Sequence, residues 1–262
     1  YRHIMKILCI GDVVGQSGCK FLREKLPGIK KAYNIDIVIA NGENSAHGNG
    51  VLPQSAQYLF DSGVDVITGG NHSFRRREIY STLDENPFLL RPANYPNTAP
   101  GKGIAYIDKG RCVVAVINLL GLVYMNSLDC PFRTADRLIN EAKKNSAKII
   151  IIDFHAEATA EKKALAFYTD SRISAVFGTH THTPTADEQI LPGGTGFITD
   201  VGMTGPFLSV LGVSPEKSIE FMKGKLPVRF EYADGPCHMD TCIFEIDEAS
   251  GKCISLERLT VE

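Results

Sequence analysis

The sequence has no long hydrophobic run, no excess of basic residues and no regular spacing of cysteines. No apolar stretch reaches the ~18 residues that are needed to span a bilayer, so we expect no membrane span. The formal net charge of −2 offers no broad basic surface for a nucleic-acid polymer. The seven cysteines are odd in number and scattered, which is typical of reduced thiols, so we expect a cytoplasmic protein.

One cysteine cluster, Cys237 and Cys242 with His238 between them, contains residue types that bind metals. It lacks a second pair of ligands at zinc-finger spacing, and we therefore favour structural packing over a zinc site there. The charge balance does not exclude a small anionic substrate, because a bound metal would supply its own local positive charge.

Apolar periodicity and turn residues predict an α/β protein that begins β-α-β-α-β and becomes rich in strands after residue 182. We expect a single domain over residues 1–262, because no linker, repeat or low-complexity tract divides the chain, with residues 1–4 outside the fold. Residues 228–232 are among the late strand candidates. Residues 90–103, which include three prolines, are expected to form a long ordered loop.

Five short polar clusters each close an apolar, β-branched run. They supply carboxylate, amide and imidazole donors and no thiolate, a set that suits iron, manganese, zinc or magnesium. Because ligands of open α/β sheets bind beyond the carboxyl ends of the strands, we expect the donors to meet in one dinuclear metal centre. The clusters are Gly11-Asp12, Asn41-Gly42-Glu43-Asn44, Gly70-Asn71-His72, His155 and Gly178-Thr179-His180-Thr181-His182.

His180 and His182 form the strongest local signal. In extended backbone, residues two apart point to one side, so one ring could serve each of two ions about 3.5–4 Å apart. His155, at the end of a neighbouring apolar strand, supplies a third imidazole. Asn71 and His72 are adjacent and would point in opposite directions in extended backbone, so we expect one of them to serve the chemistry rather than the same ion.

These clusters resemble the motifs of the calcineurin-like metallophosphoesterase superfamily, and specifically those of its YmdB-like branch. Two departures from the superfamily pattern match that branch. Asp12 is followed by Val13-Val14, where a histidine would complete an Asp-x-His block, and Glu43 stands where the superfamily has aspartate. The resemblance extends over nearly the whole chain after Met5, with matching blocks at residues 7–15, 41–44, 69–72, 178–182 and 200–206.

The resemblance implies a four-layer α/β/β/α sandwich with two mixed β-sheets and two divalent metal ions, iron or manganese before zinc or magnesium. It further implies hydrolysis of cyclic nucleotides or other small phosphodiesters, above all of 2′,3′-cyclic nucleotides to 3′-nucleotides. Asn44 would stand in for the histidine missing after Asp12, and His72 would be the proton donor. The implied ligands are Asp12, Glu43, Asn44 and His182 for the first ion and Glu43, Asn71, His155 and His180 for the second.

Other functions stay open at this point. A phosphomonoesterase or nucleotidase could use the same scaffold, and a metal-bound regulatory protein could keep the cluster with vestigial hydrolysis. Gly11, Gly15 and Gly18 match neither the dinucleotide fingerprint nor the P-loop spacing, which argues against a glycine-rich nucleotide loop.

Two further features have no assigned role. Arg75-Arg76-Arg77 could attract phosphate, but we favour a solvated helix face, and His47 could equally reach a substrate or lie on the surface. General symmetry preferences make an even-numbered homo-oligomer a reasonable expectation.

Overall fold

The computed structural model describes residues 3–262 of the chain. Its apolar strands are buried on both faces, and alternate residues of one strand enter different cores. Ile7 and Cys9 on β1 (Ile4–Ile10) face a core that is shared by two sheets, whereas Leu8 and Ile10 pack beneath helices. Strands that are covered on both faces need nearly continuous apolar sequence, which explains why β1 shows no polar alternation.

Seven strands of the described chain form the first sheet. They are β1, β2 (Asp12–Val13), β3 (Ile37–Asn41), β4 (Val66–Thr68), β11 (Met203–Pro206), β12 (Cys237–Asp247) and β13 (Cys253–Val261). The order is β2-β11-β12-β1-β3-β4, with β13 paired to β12. β1, β3 and β4 run parallel, whereas β12 is antiparallel to β1, so the sheet is mixed.

A second sheet contains six strands of the described chain in the order β5-β6-β7-β8-β10-β9. They are β5 (Ile104–Asp108), β6 (Val113–Leu120), β7 (Ala147–His155), β8 (Ala175–Thr179), β9 (Gln189–Ile190) and β10 (Gly196–Ile198). The four central strands are parallel, and β5 and β9 are antiparallel edges. The carboxyl ends of β7 and β8 therefore lie side by side.

Helices cover the outer face of each sheet. They are α1 (Gly15–Tyr33), α2 (Pro53–Asp61), a 3-10 turn (Arg77–Ile79), α3 (Tyr80–Glu85), α4 (Pro131–Lys144), α5 (Thr159–Thr169) and α6 (Pro215–Gly224). α1 and α2 pack on the first sheet, and α4 and α5 pack on the second. The four-layer α/β/β/α sandwich with two mixed sheets is therefore confirmed.

One sequence prediction is wrong, and a second is wrong for the two of its residues that the structure describes. Residues 228–232 form no strand, because this exposed segment has no adjacent strand to pair with, and Tyr232 makes only an isolated bridge to Val213. Residues 1–4 were expected to lie outside the fold, yet Ile4 pairs with Asp247 at the start of β1, and the His3 carbonyl accepts a hydrogen bond from the Glu248 N–H. The other two of these residues, Tyr1 and Arg2, lie outside the described part.

The remaining expectations concern the state of the cysteines, the cluster around His238 and membrane-spanning helices. All seven cysteines lie in the described chain and are free thiols. Cys242 is buried in the core between the sheets, and the His238 ring bonds to Asp240 instead of approaching a cysteine. None of the helices in residues 3–262 combines the length and apolar character that crossing a bilayer demands.

Candidate metal centre

The carboxyl ends of strands from both sheets bring the predicted site residues together. In the first sheet, β3 ends at the first residue of one polar cluster and β4 ends just before another. In the second sheet, β7 and β8 end at or next to the histidines. Side-chain contacts link all eight predicted residues into one continuous network, in which His72 and Glu43, 3.5 Å apart, join the two halves. The network comprises Asp12, Glu43, Asn44, Asn71, His72, His155, His180 and His182.

One half of this network converges on the inward-facing ring nitrogen of His155. His155 Nε2 lies 3.0 Å from Glu43 Oε1, 3.0 Å from Asn71 Oδ1 and 3.1 Å from His180 Nδ1. Glu43 Oε1 is buried and has no hydrogen-bond partner among the described residues. Four potential ligand atoms, this buried carboxylate oxygen among them, thus meet at one point, an arrangement that a cation would stabilise.

The other half contains Asp12, Asn44 and His182. Asp12 Oδ1 lies 3.2 Å from Asn44 Nδ2 and 3.5 Å from His182 Nε2, and Asp12 Oδ2 accepts a hydrogen bond from the His180 N–H at 3.0 Å. The amide oxygen of Asn44 faces His72 Nδ1 at 2.7 Å. Because the amide nitrogen points toward Asp12 and His182, ligation by Asn44 requires its amide group to turn. Its role as a ligand stays a prediction.

The second nitrogen of each candidate histidine ligand meets a hydrogen-bond acceptor. In a neutral ring this arrangement leaves a lone pair on the nitrogen that faces the site, and metal-binding histidines are commonly oriented in this way. The pairs are His155 Nδ1 with Thr179 Oγ1 at 2.9 Å, His180 Nε2 with Glu157 Oε2 at 3.0 Å, and His182 Nδ1 with the Leu211 carbonyl at 3.0 Å. These partners are compatible with divalent metal ions at both halves of the network.

Behind His155 lies a buried carboxylate that the sequence reading did not select. Asp153 is fully buried on β7 and accepts hydrogen bonds from the hydroxyls of Thr179 at 2.7 Å and Thr68 at 2.5 Å. Burial raises the pKa of Asp153 to about 7. Since the Thr179 hydroxyl donates to Asp153, its oxygen is free to accept from His155 Nδ1. The sequence does offer one signal for this residue, because Asp153 is the single acidic residue in the apolar run of residues 149–154.

A buried ion pair holds the turn that carries the last two histidines. Lys162 and Asp200 are both fully buried, with Lys162 Nζ 2.7 Å from Asp200 Oδ2. Lys162 Nζ also donates to the Thr179 carbonyl at 2.9 Å, and Asp200 Oδ2 accepts from the Thr181 N–H at 3.1 Å. The ion pair therefore fixes the backbone on either side of His180. The sequence reading included residue 200 in a matching block but gave neither residue a role.

The histidine turn is not extended, contrary to the sequence argument. His180 has φ 103° and His182 has φ 60°, so the alternation of a strand does not apply to them. The two rings nevertheless serve different halves of the network, because His180 contacts His155 and His182 lies beside Asp12.

The charges of the network favour positive charge at its centre. Burial opposes protonation of the His155 ring, but Glu43, Asp12 and Asp153 together raise its pKa to about 9. Burial and the neighbouring His155 lower the pKa of His180 to about 4. Burial would raise the pKa of Glu43, but His155 and His72 hold it below its ordinary value.

His72 occupies a turn rather than the extended segment that the sequence argument assumed. Its backbone N–H donates to Glu43 Oε2 at 2.7 Å, and its ring Nδ1 meets the Asn44 amide oxygen at 2.7 Å. Burial lowers the pKa of His72, partly offset by Glu43, and Arg75 lowers it further. The ring is half-buried, and its Nε2 makes no hydrogen bond with the described residues, so this nitrogen is free to meet a substrate.

Two features without an assigned role lie nearby. Arg76 Nε donates to the Asn49 carbonyl at 3.1 Å, so this arginine braces the neighbouring loop. His47 has φ 50° and lines a cavity of about 350 Å³ with Lys20 and Tyr232. Substrate contact by either feature stays a prediction.

The comparisons with known proteins agree with these observations. A family model described as YmdB-like protein matches residues 8–259. The chain belongs to the YmdB-like family. A Bacillus subtilis relative, named 2′,3′-cyclic-nucleotide 2′-phosphodiesterase, is 48% identical over 257 residues, which cover 98% of this chain and 97% of the relative.

Solved structures similar to this YmdB-like chain share its fold. A phosphatase from Mycoplasma pneumoniae is 33% identical with a TM-score of 0.94, covering 100% of this chain and 94% of that one. A hypothetical protein from Thermus thermophilus is 39% identical with a TM-score of 0.92, covering 98% and 99% of the two chains. The YmdB-like chain therefore has the calcineurin-like phosphoesterase fold that its motifs implied.

Proposed function

We propose that this protein is a metal-dependent phosphodiesterase that converts 2′,3′-cyclic nucleotides to 3′-nucleotides. The observation that supports it most strongly is the cluster of Glu43, His155 and His180, whose candidate ligand atoms all lie within 4.8 Å of one another. The Bacillus subtilis relative, at 48% identity, bears the name of this activity. A site of carboxylate, amide and imidazole donors suits iron or manganese, and also zinc or magnesium.

We assign the two ions to the two halves of the network. Asp12, Asn44 and His182 would hold one ion, and Asn71, His155 and His180 the other, with Glu43 between them. Two such ions, when bound, polarise the phosphate and lower the pKa of water toward neutrality. The buried Asp153 supports this arrangement, because through Thr179 it keeps the proton of His155 on Nδ1 and the lone pair on Nε2.

In this account, His72 is the proton donor. Water attacks phosphorus and releases one proton to solvent, the bond between phosphorus and the ribose O2′ breaks, and His72 Nε2–H donates its proton to the departing O2′. The carboxylate of Glu43, with Oε1 3.5 Å from His72 Nδ1, favours the protonated form of the ring. A positioned acid of this kind typically contributes about 10²–10⁴ to the rate. The product is a 3′-nucleotide.

The substrate would be a small molecule rather than a nucleic-acid polymer, in keeping with the net charge of −2. We also propose a cytoplasmic location, which the seven free cysteines of the described chain support.

Parallel hydrolysis assays test this function. The protein is reconstituted with Mn²⁺ or Fe²⁺ and given 2′,3′-cAMP, 3′,5′-cAMP and a 5′-nucleotide, and the products are separated. We expect selective formation of 3′-AMP, its loss in His72→Ala, and full activity in the control His3→Ala, whose exposed side chain lies just before β1. Release of phosphate from the 5′-nucleotide alone would show a nucleotidase instead. A fully metallated protein that hydrolyses none of the three would point to a regulatory role.

A further inference from the structure

Arg91, in the long loop between α3 and β5, carries a buried charge without a carboxylate partner. Arg91 is only 5% exposed, and its Nη1 donates to the neighbouring Pro92 carbonyl at 2.9 Å. Its Nε is buried and has no hydrogen-bond partner among the described residues, and no carboxylate in that part of the chain pairs with its guanidinium. Since arginine stays protonated at any ordinary pH, an uncompensated buried guanidinium is costly and calls for an anion.

Arg91 lines a cavity of about 560 Å³ between this loop, β5 and α4. Lys102 and Arg137, both exposed, lie on the wall of the same cavity. Glu141 is the one carboxylate among the lining residues of the described chain; its Oε1 accepts from the Tyr106 hydroxyl at 3.3 Å, and its Oε2 lies 3.9 Å from Arg137 Nη1. The cavity thus presents three cationic side chains against one carboxylate, and none of its lining residues belongs to the metal centre.

We propose that this cavity binds the phosphate group of a small molecule. The planar guanidinium of Arg91 presents donors in a fork that matches phosphate oxygens, and a dianion would balance the excess of positive charge. Arg137 and Lys102 have long, exposed side chains that can close over the anion without disturbing the core. The volume exceeds that of free phosphate, so a phosphorylated metabolite fits as well. This proposal does not depend on the proposed hydrolysis.

Calorimetric titration with inorganic phosphate and, separately, with 3′-AMP tests the cavity at fixed ionic strength. Wild type is compared with Arg137→Gln, which removes an exposed cavity charge, and with Arg133→Gln, an exposed arginine of α4 that does not line the cavity. Each is also tested in a Glu43→Ala background, where binding at the metal centre is impaired. We expect binding in both backgrounds, roughly tenfold weaker with Arg137→Gln and unchanged with Arg133→Gln.

Arg91→Lys provides a second variant, because it keeps the charge and removes the fork, and we expect it to weaken binding as well. Comparable affinities for the two ligands would show that the cavity recognises the phosphate group alone. Tighter binding of 3′-AMP would show that the ligand is a phosphorylated metabolite. Binding that vanishes with Glu43→Ala, or that is indifferent to both Arg137→Gln and Arg91→Lys, would overturn the proposal.

Discussion

The buried ion pair between Lys162 and Asp200 offers a test of how the histidine turn is held. We consider Lys162→Met, which keeps a similar side-chain volume in α5 and removes the charge. The substitution deletes two charge-assisted hydrogen bonds, to Asp200 Oδ2 at 2.7 Å and to the Thr179 carbonyl at 2.9 Å. It also leaves the fully buried carboxyl of Asp200 without its cation.

Breaking one side of a buried ion pair typically costs about 3–5 kcal/mol in the free energy of unfolding. Burial already raises the pKa of Asp200, and loss of Lys162 would raise it further. A carboxyl whose folded pKa lies above its unfolded value destabilises the protein at neutral pH, and this penalty disappears as the pH falls below the unfolded value. The stability difference between wild type and Lys162→Met should therefore narrow as the pH is lowered.

Urea unfolding at several pH values measures this difference. Lys163→Met is the matched control, because its exposed ammonium lies 3.4 Å from Asp187 and a surface pair of this kind contributes about 1 kcal/mol or less. Adding Asp200→Asn to Lys162→Met should recover part of the lost stability. A loss below about 1 kcal/mol for Lys162→Met at neutral pH, equal to that of the control, would refute the reasoning.

Three further predictions concern the site and its surroundings. Thr179→Val should weaken metal binding about 10–100-fold, because His155 loses the acceptor that orients its ring. Titration with Mn²⁺ measures this change, and the control Thr179→Ser should bind metal like wild type. Glu43→Ala should lose its metal, whereas His72→Ala should keep its metal and lose most of its activity. Elemental analysis of the two purified variants decides whether metal binding and proton donation belong to separate residues. Burial alone would raise the pKa of Asp170, but hydrogen bonds from backbone N–H groups outweigh burial and lower that pKa. The carboxylate of Asp170 therefore stabilises the fold above its unfolded pKa, and this stabilisation is lost as the pH falls through its folded pKa. The acid unfolding curve of Asp170→Asn should accordingly be flatter below about pH 4, and an unchanged curve would contradict that contribution.

The metal cluster could be predicted from the sequence because its information is local. Each polar cluster follows a strand whose apolar run is readable by itself, and the carboxyl ends of strands are where ligands of α/β sheets meet. The structure brings His155 and Glu43 together although 112 residues separate them and their strands belong to different sheets, a meeting that the resemblance to the family implied and that the rule for one sheet does not predict. Whether these atoms bind metal stays a prediction.

The supporting contacts could not be predicted in the same way. The pairing of Lys162 with Asp200 and the orphaned guanidinium of Arg91 depend on how loops and helices pack, which no local pattern encodes. The argument from extended backbone was wrong for His180 and His182, because tertiary contacts place both at positive φ. Residues 228–232 have the β-branched and aromatic composition of a strand but lack a neighbouring strand to complete it.

The most direct test of the proposed hydrolysis is product analysis after reaction of the metal-loaded protein with 2′,3′-cAMP in ¹⁸O-labelled water. Attack on phosphorus with expulsion of O2′ predicts 3′-AMP as the product, with one ¹⁸O atom in its phosphate group. Formation of 2′-AMP, or no turnover by a protein that carries its full complement of metal, would contradict the account.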